Sequence, residues 1–132
     1  MTLTFTVPGQ PSPQGSKRHV GNGRMIESSK ALGPWRERVA LAAHNAMTGA
    51  PMWVGVPVRV HVTFVMRRPV SARKSTPAAI KRPDLDKLVR AVFDALTNVV
   101  FGDDSVVVDL RASKRLAEIG ETPGAHIRIE AL

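Results

Sequence analysis

Two acidic pieces stand out in a chain that is otherwise basic. Asp84 and Asp86 flank Leu85, and the pair Asp103-Asp104 follows further along. All six aspartates lie between Asp84 and Asp109, and the five glutamates all fall outside that span. A basic protein that gathers its aspartates into one stretch has a local reason for doing so. Carboxylate oxygens are hard donors suited to Mg²⁺, with Mn²⁺ as a substitute. Three carboxylates converging on such an ion make a framework for phosphodiester hydrolysis. The ion polarises a phosphoryl oxygen, generates a hydroxide-like nucleophile and stabilises the leaving alkoxide. Arg90 lies four residues after Asp86 and should share its helix face, where it either pairs with Asp86 or touches the scissile phosphate. Asp94 continues that face, and Lys87 sits at the acidic end. The plainer uses are a helix cap for Asp84 and an ordinary turn for Asp103-Asp104-Ser105.

The charge balance says what such a site would meet. Nineteen Lys and Arg against eleven Asp and Glu leave +8 over 132 residues. A field of that sign favours a polyanion such as nucleic acid, with the basic surface drawing it in and the metal offsetting repulsion by the carboxylates. The chain has no cysteine, so disulfides and thiolate metal sites are excluded and a reducing, cytoplasmic setting is expected. No apolar run approaches the length of a membrane span. His19, His44, His61 and His126 are scattered without metal-ligand spacing. Trp35 lies on an apolar helical stripe and reads as core, whereas Trp53 reads as open and able to stack on bases.

The elements that position these residues follow from periodicity. Thr2–Val7 alternates as a strand, and Arg18–Glu27 reads as a hairpin turning at Asn22-Gly23. Ser28 or Ser29 is a candidate cap for a helix from about Pro34 to Met47, carrying Trp35, Val39, Ala42, Ala43 and Ala46. Pro57–Arg67 puts Val58, Val60, Val62, Phe64 and Met66 on one face of a strand. Residues 67–83 form a flexible basic loop with Arg67, Arg68, Arg73, Lys74, Lys81 and Arg82 and no acid. Pro83–Asn98 is a helix whose stripe of Leu85, Leu88, Val89, Val92 and Leu96 faces the core, with Asp84 at the N-cap. Strands at Val106–Ser113 and Ala125–Ala131 finish the chain. The order β, hairpin, α, β, α, β, β predicts a single α+β domain over 1–132, with two main helices packed on a mixed β-sheet. If the second helix and the strand after it are adjacent, the two acidic pieces converge at one end.

Three spaced segments then resemble a known family. Pro83-Asp84-Leu85-Asp86-Lys87-Leu88, Phe93-Asp94-Ala95-Leu96 and Val100-Phe101-Gly102-Asp103-Asp104-Ser105-Val106-Val107 are similar to the signature of RusA-type Holliday-junction resolvases. Pro13-Gln14-Gly15-Ser16-Lys17-Arg18 is similar to that family's early basic segment. The resemblance implies a RusA-like fold and a homodimer, of phage or bacterial chromosomal setting, that binds four-way DNA and nicks two strands symmetrically with Mg²⁺. Carried over by position, it implies Asp84, Asp86 and Asp104 as metal-binding residues and Asp103 as a supporting one. Lys87 stands where the family usually has Asn, and Arg90 where it often has a functional Lys. Arg keeps the charge but cannot act as an acid near neutral pH, so an electrophilic role survives and a general-acid role does not.

Lys17, Arg18, Lys87 and the loop cations Arg67, Arg68, Arg73, Lys74, Lys81 and Arg82 are the expected phosphate contacts, which should make binding steeply salt-dependent. The few aromatics disfavour readout by stacking, and junction shape is the better determinant. Two other functions compete with junction resolution. One is a non-catalytic DNA-binding module in which the aspartates only cap and turn. The other is a nuclease acting on other branched DNA.

Overall fold

Val58, Val60, Val62 and Phe64 are fully buried and Met66 nearly so, and their alternation sets the centre of the molecule. They lie on β4 (Val58–Met66), with β2 (Lys17–His19) and β3 (Met25–Glu27) preceding it as a short antiparallel pair. The computed structural model describes residues 1–15, 17–19, 25–27, 30–72 and 75–132, with 17–19 and 25–27 as backbone only. The expected turn at Asn22-Gly23, the candidate caps Ser28 and Ser29, and the loop residues Arg73 and Lys74 lie outside the described residues.

The main sheet has four strands in the order β1-β6-β4-β5. Here β1 is Thr2–Pro8, β5 is Val107–Leu116 and β6 is Gly124–Ala131. β6 runs antiparallel to both β1 and β4, whereas β5 is parallel to β4 and forms one edge. A parallel neighbour needs a crossover, and α2 (Leu85–Leu96) supplies it between β4 and β5. α1 (Leu32–Met47) packs against α2 and β1. This is the expected single α+β domain, a mixed sheet with two helices. Among the described residues no helix is long and apolar enough to cross a membrane.

The apolar stripes explain why the helices sit where they do. α2 buries Leu88, Val89, Val92 and Leu96, as its period requires, together with Ala91 and Ala95. α1 buries Leu32, Trp35, Val39, Ala43 and Met47 and starts two residues earlier than Pro34. Its N-cap is Ala31, which offers no side-chain oxygen, so Leu32 entering the core, and not a cap, fixes the start. Trp53 corrects an expectation: it is 9 % exposed, bridges to Phe101 and donates its indole N–H to Met1 Sδ. With Trp35 also fully buried, neither tryptophan is available to stack on bases.

Beyond β4, the described residues of 67–82 are irregular but anchored. Arg68 donates to Thr76 Oγ1 and to the Ala117 carbonyl, and Thr76 donates to Glu118. Arg68, expected as a phosphate contact, is thus engaged in holding the loop on the strand-end turn. β5 runs to Leu116, past the expected end at Ser113. Lys114 explains part of the extension, because its ammonium donates to the carbonyls of Lys81 and Pro83. That contact ties the strand to the chain entering α2.

Candidate active site at the start of the second helix

Asp84 occupies the N-cap position of α2 in extended conformation, as expected from sequence, yet its carboxylate makes no cap hydrogen bond. The side chain is half exposed, and its nearest cation is Lys87, with Nζ 3.7 Å from Oδ2. That is a loose pair of low energetic value. Asp86 sits in the first turn and is exposed. Among the described residues no ion pair joins Asp86 to Arg90, nor Arg90 to Asp94, although the helical spacing allows both. Asp94 instead accepts a short hydrogen bond from the Gln14 side chain. Apart from the loose Asp84–Lys87 pair, Asp84, Asp86 and Arg90 have no ion-pair partner among the described residues, at a helix end whose N-cap side chain makes no cap hydrogen bond.

The segment after β1 closes in on this end. The backbone N–H of Gln14 donates to the Lys87 carbonyl at 3.0 Å, which pins residues 10–15 along α2. Gly15 has φ +94°, and a Cβ there would stand 2.7 Å from an Arg90 guanidinium nitrogen. Only glycine lets the chain pass Arg90 so closely. Further along the chain come Lys17 and Arg18 on β2. Gln10, Pro11, Pro13, Arg82, Pro83, Asp84 and Lys87 line a hollow of about 350 Å³ here. Arg67, Lys81 and Arg82 are exposed around it. A larger cavity of about 390 Å³ adjoins it, walled by Met66, Pro77, Ile80 and Leu116.

Asp103 and Asp104 are elsewhere. Asp103 precedes and Asp104 opens a single 3-10 turn, Asp104–Val106, that leads into the start of β5. Because β4 and β5 are parallel, that start lies beside Val58, while Lys114 and the chain entering α2 lie beside Phe64. From Val107 to Lys114 a strand advances about 23 Å. The expected convergence of Asp84, Asp86, Asp103 and Asp104 therefore does not occur within one chain. Among the described residues no three acidic or histidine side chains gather as a metal cluster. The cause is connectivity: α2 carries the chain back along the sheet before β5 begins.

Asp103 caps its turn, accepting from the Ser105 N–H at 3.3 Å. Hydrogen bonding from Ser105, through its hydroxyl first and its backbone next, holds the Asp103 carboxyl below the usual carboxylate range. The Asp104 carboxylate is exposed and has no partner among the described residues. Sequence reasoning missed two positioning residues, Lys114 and Gln14. Lys114 is the one charged side chain among the apolar Leu110, Ala112 and Leu116 that share its face of β5, which is the signal that could have flagged it.

A basic α+β domain with an exposed acidic pair among cations is suited to phosphodiester cleavage. The sequence profile of the family described as Endodeoxyribonuclease RusA matches residues 8–130. The crossover junction endodeoxyribonuclease RusA of Escherichia coli strain K12 is 34% identical over 114 residues, covering 86% of this chain and 82% of its own. The RusA of Shigella sonnei strain Ss046 is 33% identical over the same length. The uncharacterized protein YqaN of Bacillus subtilis strain 168 is 32% identical over 126 residues, 88% of this chain and 89% of its own. The chain belongs to the RusA endodeoxyribonuclease family.

Proposed function

We propose that this protein is a structure-selective endodeoxyribonuclease that resolves four-way DNA junctions by paired, symmetric nicks. Its active sites are shared between two copies, with Asp84 and Asp86 of one copy and Asp104 of the other holding a divalent ion. The observation that carries the reading is Asp84 itself. It stands at a helix N-cap, yet its carboxylate makes no cap hydrogen bond, and Asp86 two residues on has no ion-pair partner among the described residues. Side chains kept only for capping would be used as caps.

RusA nucleases are metal-dependent, and Mg²⁺ is the ion we assign, with Mn²⁺ as a substitute. The donor chemistry fits: Mg²⁺ is commonly held by one or two carboxylates, waters and a substrate phosphate. When bound, such an ion supplies positive charge at the phosphoryl oxygen and an acidified water. The chain's own residues do the rest. Arg90, held beside Gly15, contacts the scissile phosphate and stabilises its charge without delivering a proton. Lys81, Arg82 and Lys87 grip the flanking backbone, and Lys17, Arg18, Arg67, Arg73 and Lys74 extend that grip. Asp103 serves as the cap of the turn that presents Asp104, not as a ligand.

The second copy follows from the separation of the acidic pieces. One chain brings only Asp84 and Asp86 to the basic end, and a two-fold partner can bring Asp104 there. The test is cleavage of a synthetic four-way junction and a linear duplex of matched sequence, with Mg²⁺ or EDTA. Asp86→Asn and Asp104→Asn are assayed alone and mixed. We expect metal-dependent paired nicks in the junction only, and none from either variant alone. Mixing should restore nicking to about a quarter of wild type. About half of the dimers are then mixed, and each has one intact site of two. Failure of the mixture to recover would sink the shared site. Junction binding without cleavage by the wild type, with Mg²⁺ and with Mn²⁺ in its place, would instead favour the binding-module reading. Equal cleavage of flaps and forks would broaden the substrate to other branched DNA.

A further inference from the structure

Both helices pack on one face of the sheet, the face that carries Val60, Val62 and Phe64. The other face is polar, and the register sorts its side chains into rows across the strands. One row runs Thr2, Glu130, Arg59, Asp109 from β1 through β6 and β4 to β5. Its charges answer one another, with Arg59 2.8 Å from Asp109 and 3.6 Å from Glu130. The next row along β4 is Thr4, Arg128, His61, Arg111, and it holds no acid. After it comes Thr6, His126, Thr63, Ser113. Like charges set side by side on a sheet repel. A row that places an imidazole between two guanidinium groups is better served by an anion from outside.

Six of these side chains form a grid: Thr4, Arg128 and His61 in one row, Thr6, His126 and Thr63 in the next. Neighbours across the strands stand about 4.8 Å apart. The six line one hollow of about 160 Å³. All but the half-buried Thr63 are exposed. Each can donate a hydrogen bond, and no carboxylate stands among them. Thr4, Thr6, His61 and Thr63 make no side-chain hydrogen bond or ion pair among the described residues. Arg128 uses its Nε on Glu130 at 2.9 Å, and its terminal nitrogens have no partner among the described residues. Glu121, whose carboxyl feels His126, is held by Arg115. Two histidines far apart in sequence thus become diagonal neighbours beside a guanidinium and three hydroxyls.

We propose that this grid is a phosphate site, which takes a backbone phosphate of the DNA away from the cut. The choice of DNA as the source of that phosphate rests on the nuclease reading above. Donors of three kinds suit a tetrahedral oxyanion: a guanidinium fork, imidazole N–H groups and hydroxyls. Arg111 extends the row. It lies two strand spacings, about 10 Å, from Arg128 on the far side of His61, where it can meet a neighbouring phosphate. The sheet separates the grid from α2, so a phosphate held here is not the one beside Asp84 and Asp86. A branched substrate sends arms in several directions, and a protein seated on it meets backbone on more than one side. The grid adds affinity and leaves the chemical step alone.

The test separates binding from cleavage. Arg128→Gln and His61→Ala, both at exposed positions, should each weaken junction binding about fivefold at moderate salt. For Arg128→Gln the slope of log K against log salt should fall by about one. The cleavage rate at saturating junction should stay at the wild-type value in both. Thr6→Lys, which adds a cation to the grid, should tighten binding about threefold. Arg36→Gln removes the same charge from α1, on the helix side, and should do less. The imidazole proton resonances of His61 and His126 are then followed without metal as inorganic phosphate, or a linear duplex, is added. Both should shift with either ligand. Equal weakening by Arg128→Gln and Arg36→Gln would reduce the effect to net charge and overturn the site. Unchanged binding in the grid variants would overturn it too, as would shifts with phosphate and none with DNA. If the wild type binds no DNA at all, the nuclease reading falls. The grid then stands as a phosphate site if inorganic phosphate moves both imidazoles, and falls as well if it does not.

Discussion

At the start of α2, Asp84 takes an N-cap position and its carboxylate caps nothing; at the start of β5, Asp103 takes the corresponding position in a single 3-10 turn and does cap. The two residues share type, exposure and local role by sequence. What separates them is the company each keeps. Around Asp84 stand Lys87, Arg82 and the pinned segment with Gly15, a basic rim that can accept a phosphate. Around Asp103 the nearest donor is Ser105 of the same turn. A carboxylate at a helix start is therefore read correctly only from what surrounds it, and in the pair Asp103-Asp104 one partner is structural.

The sharpest test of that contrast is Asp86→Asn. Cleavage should fall at least about a hundredfold, in single-turnover assays on a junction, because a ligand to the ion is lost. Junction binding, read by mobility shift, should be kept or strengthened, because a repulsive charge is gone. Comparable activity would remove the basic end from the chemistry. Next in size is Gly15→Ala, which adds a Cβ where Arg90 now lies and strains a backbone at φ +94°. Displacing Arg90 should cost about tenfold in cleavage rate. Unchanged kinetics would mean that Arg90 does not touch the reacting phosphate.

Smaller still is a stability comparison between the two caps. Asp103→Ala should lower the melting temperature by a few degrees, since a turn N–H loses its acceptor. Asp84→Ala should leave it nearly unchanged while abolishing cleavage. Reversal of that order would return Asp84 to a capping role. The smallest effect lies at the far turn, where Arg115 grips Glu121 through two hydrogen bonds of 2.6 and 2.8 Å. The Arg115 guanidinium, helped by the Glu118 N–H, lowers the Glu121 pKa from 4.5 to about 2. Since the folded value lies below the unfolded one, the contribution is present above pH 4.5 and fades as pH falls towards 2. Glu121→Gln should flatten part of the loss of melting temperature over that window. An unaltered profile would show that the pair is solvent-screened.

Much of this architecture was readable from period alone. The stripe of α2 and the alternation of β4 are core patterns, and burial enforces them. β5 was harder, because an edge strand with Lys114 and Arg115 near its end lacks a clean polar-apolar rhythm. The start of α1 was placed two residues late because the stripe was counted from Trp35 and Pro34 suits a first turn, whereas Leu32 already enters the core. The family and the acidic residues were legible as spaced motifs. Their convergence in one chain was not, yet connectivity argues against it. A helix of twelve residues spans about 18 Å, and a strand that begins soon after its end must start at the opposite side of the sheet. Gln14 and Lys114 act through tertiary contacts that no local pattern encodes.

The length of β5 carries one more consequence. Ten residues of strand reach about 33 Å from end to end. The strand is a rod with an acidic piece tied to each end: Asp104 leads into its start, and Lys114 near its finish holds the chain that enters α2. Shortening or lengthening it by two residues would keep every side chain on its face and change the spacing of the two acidic pieces by about 7 Å.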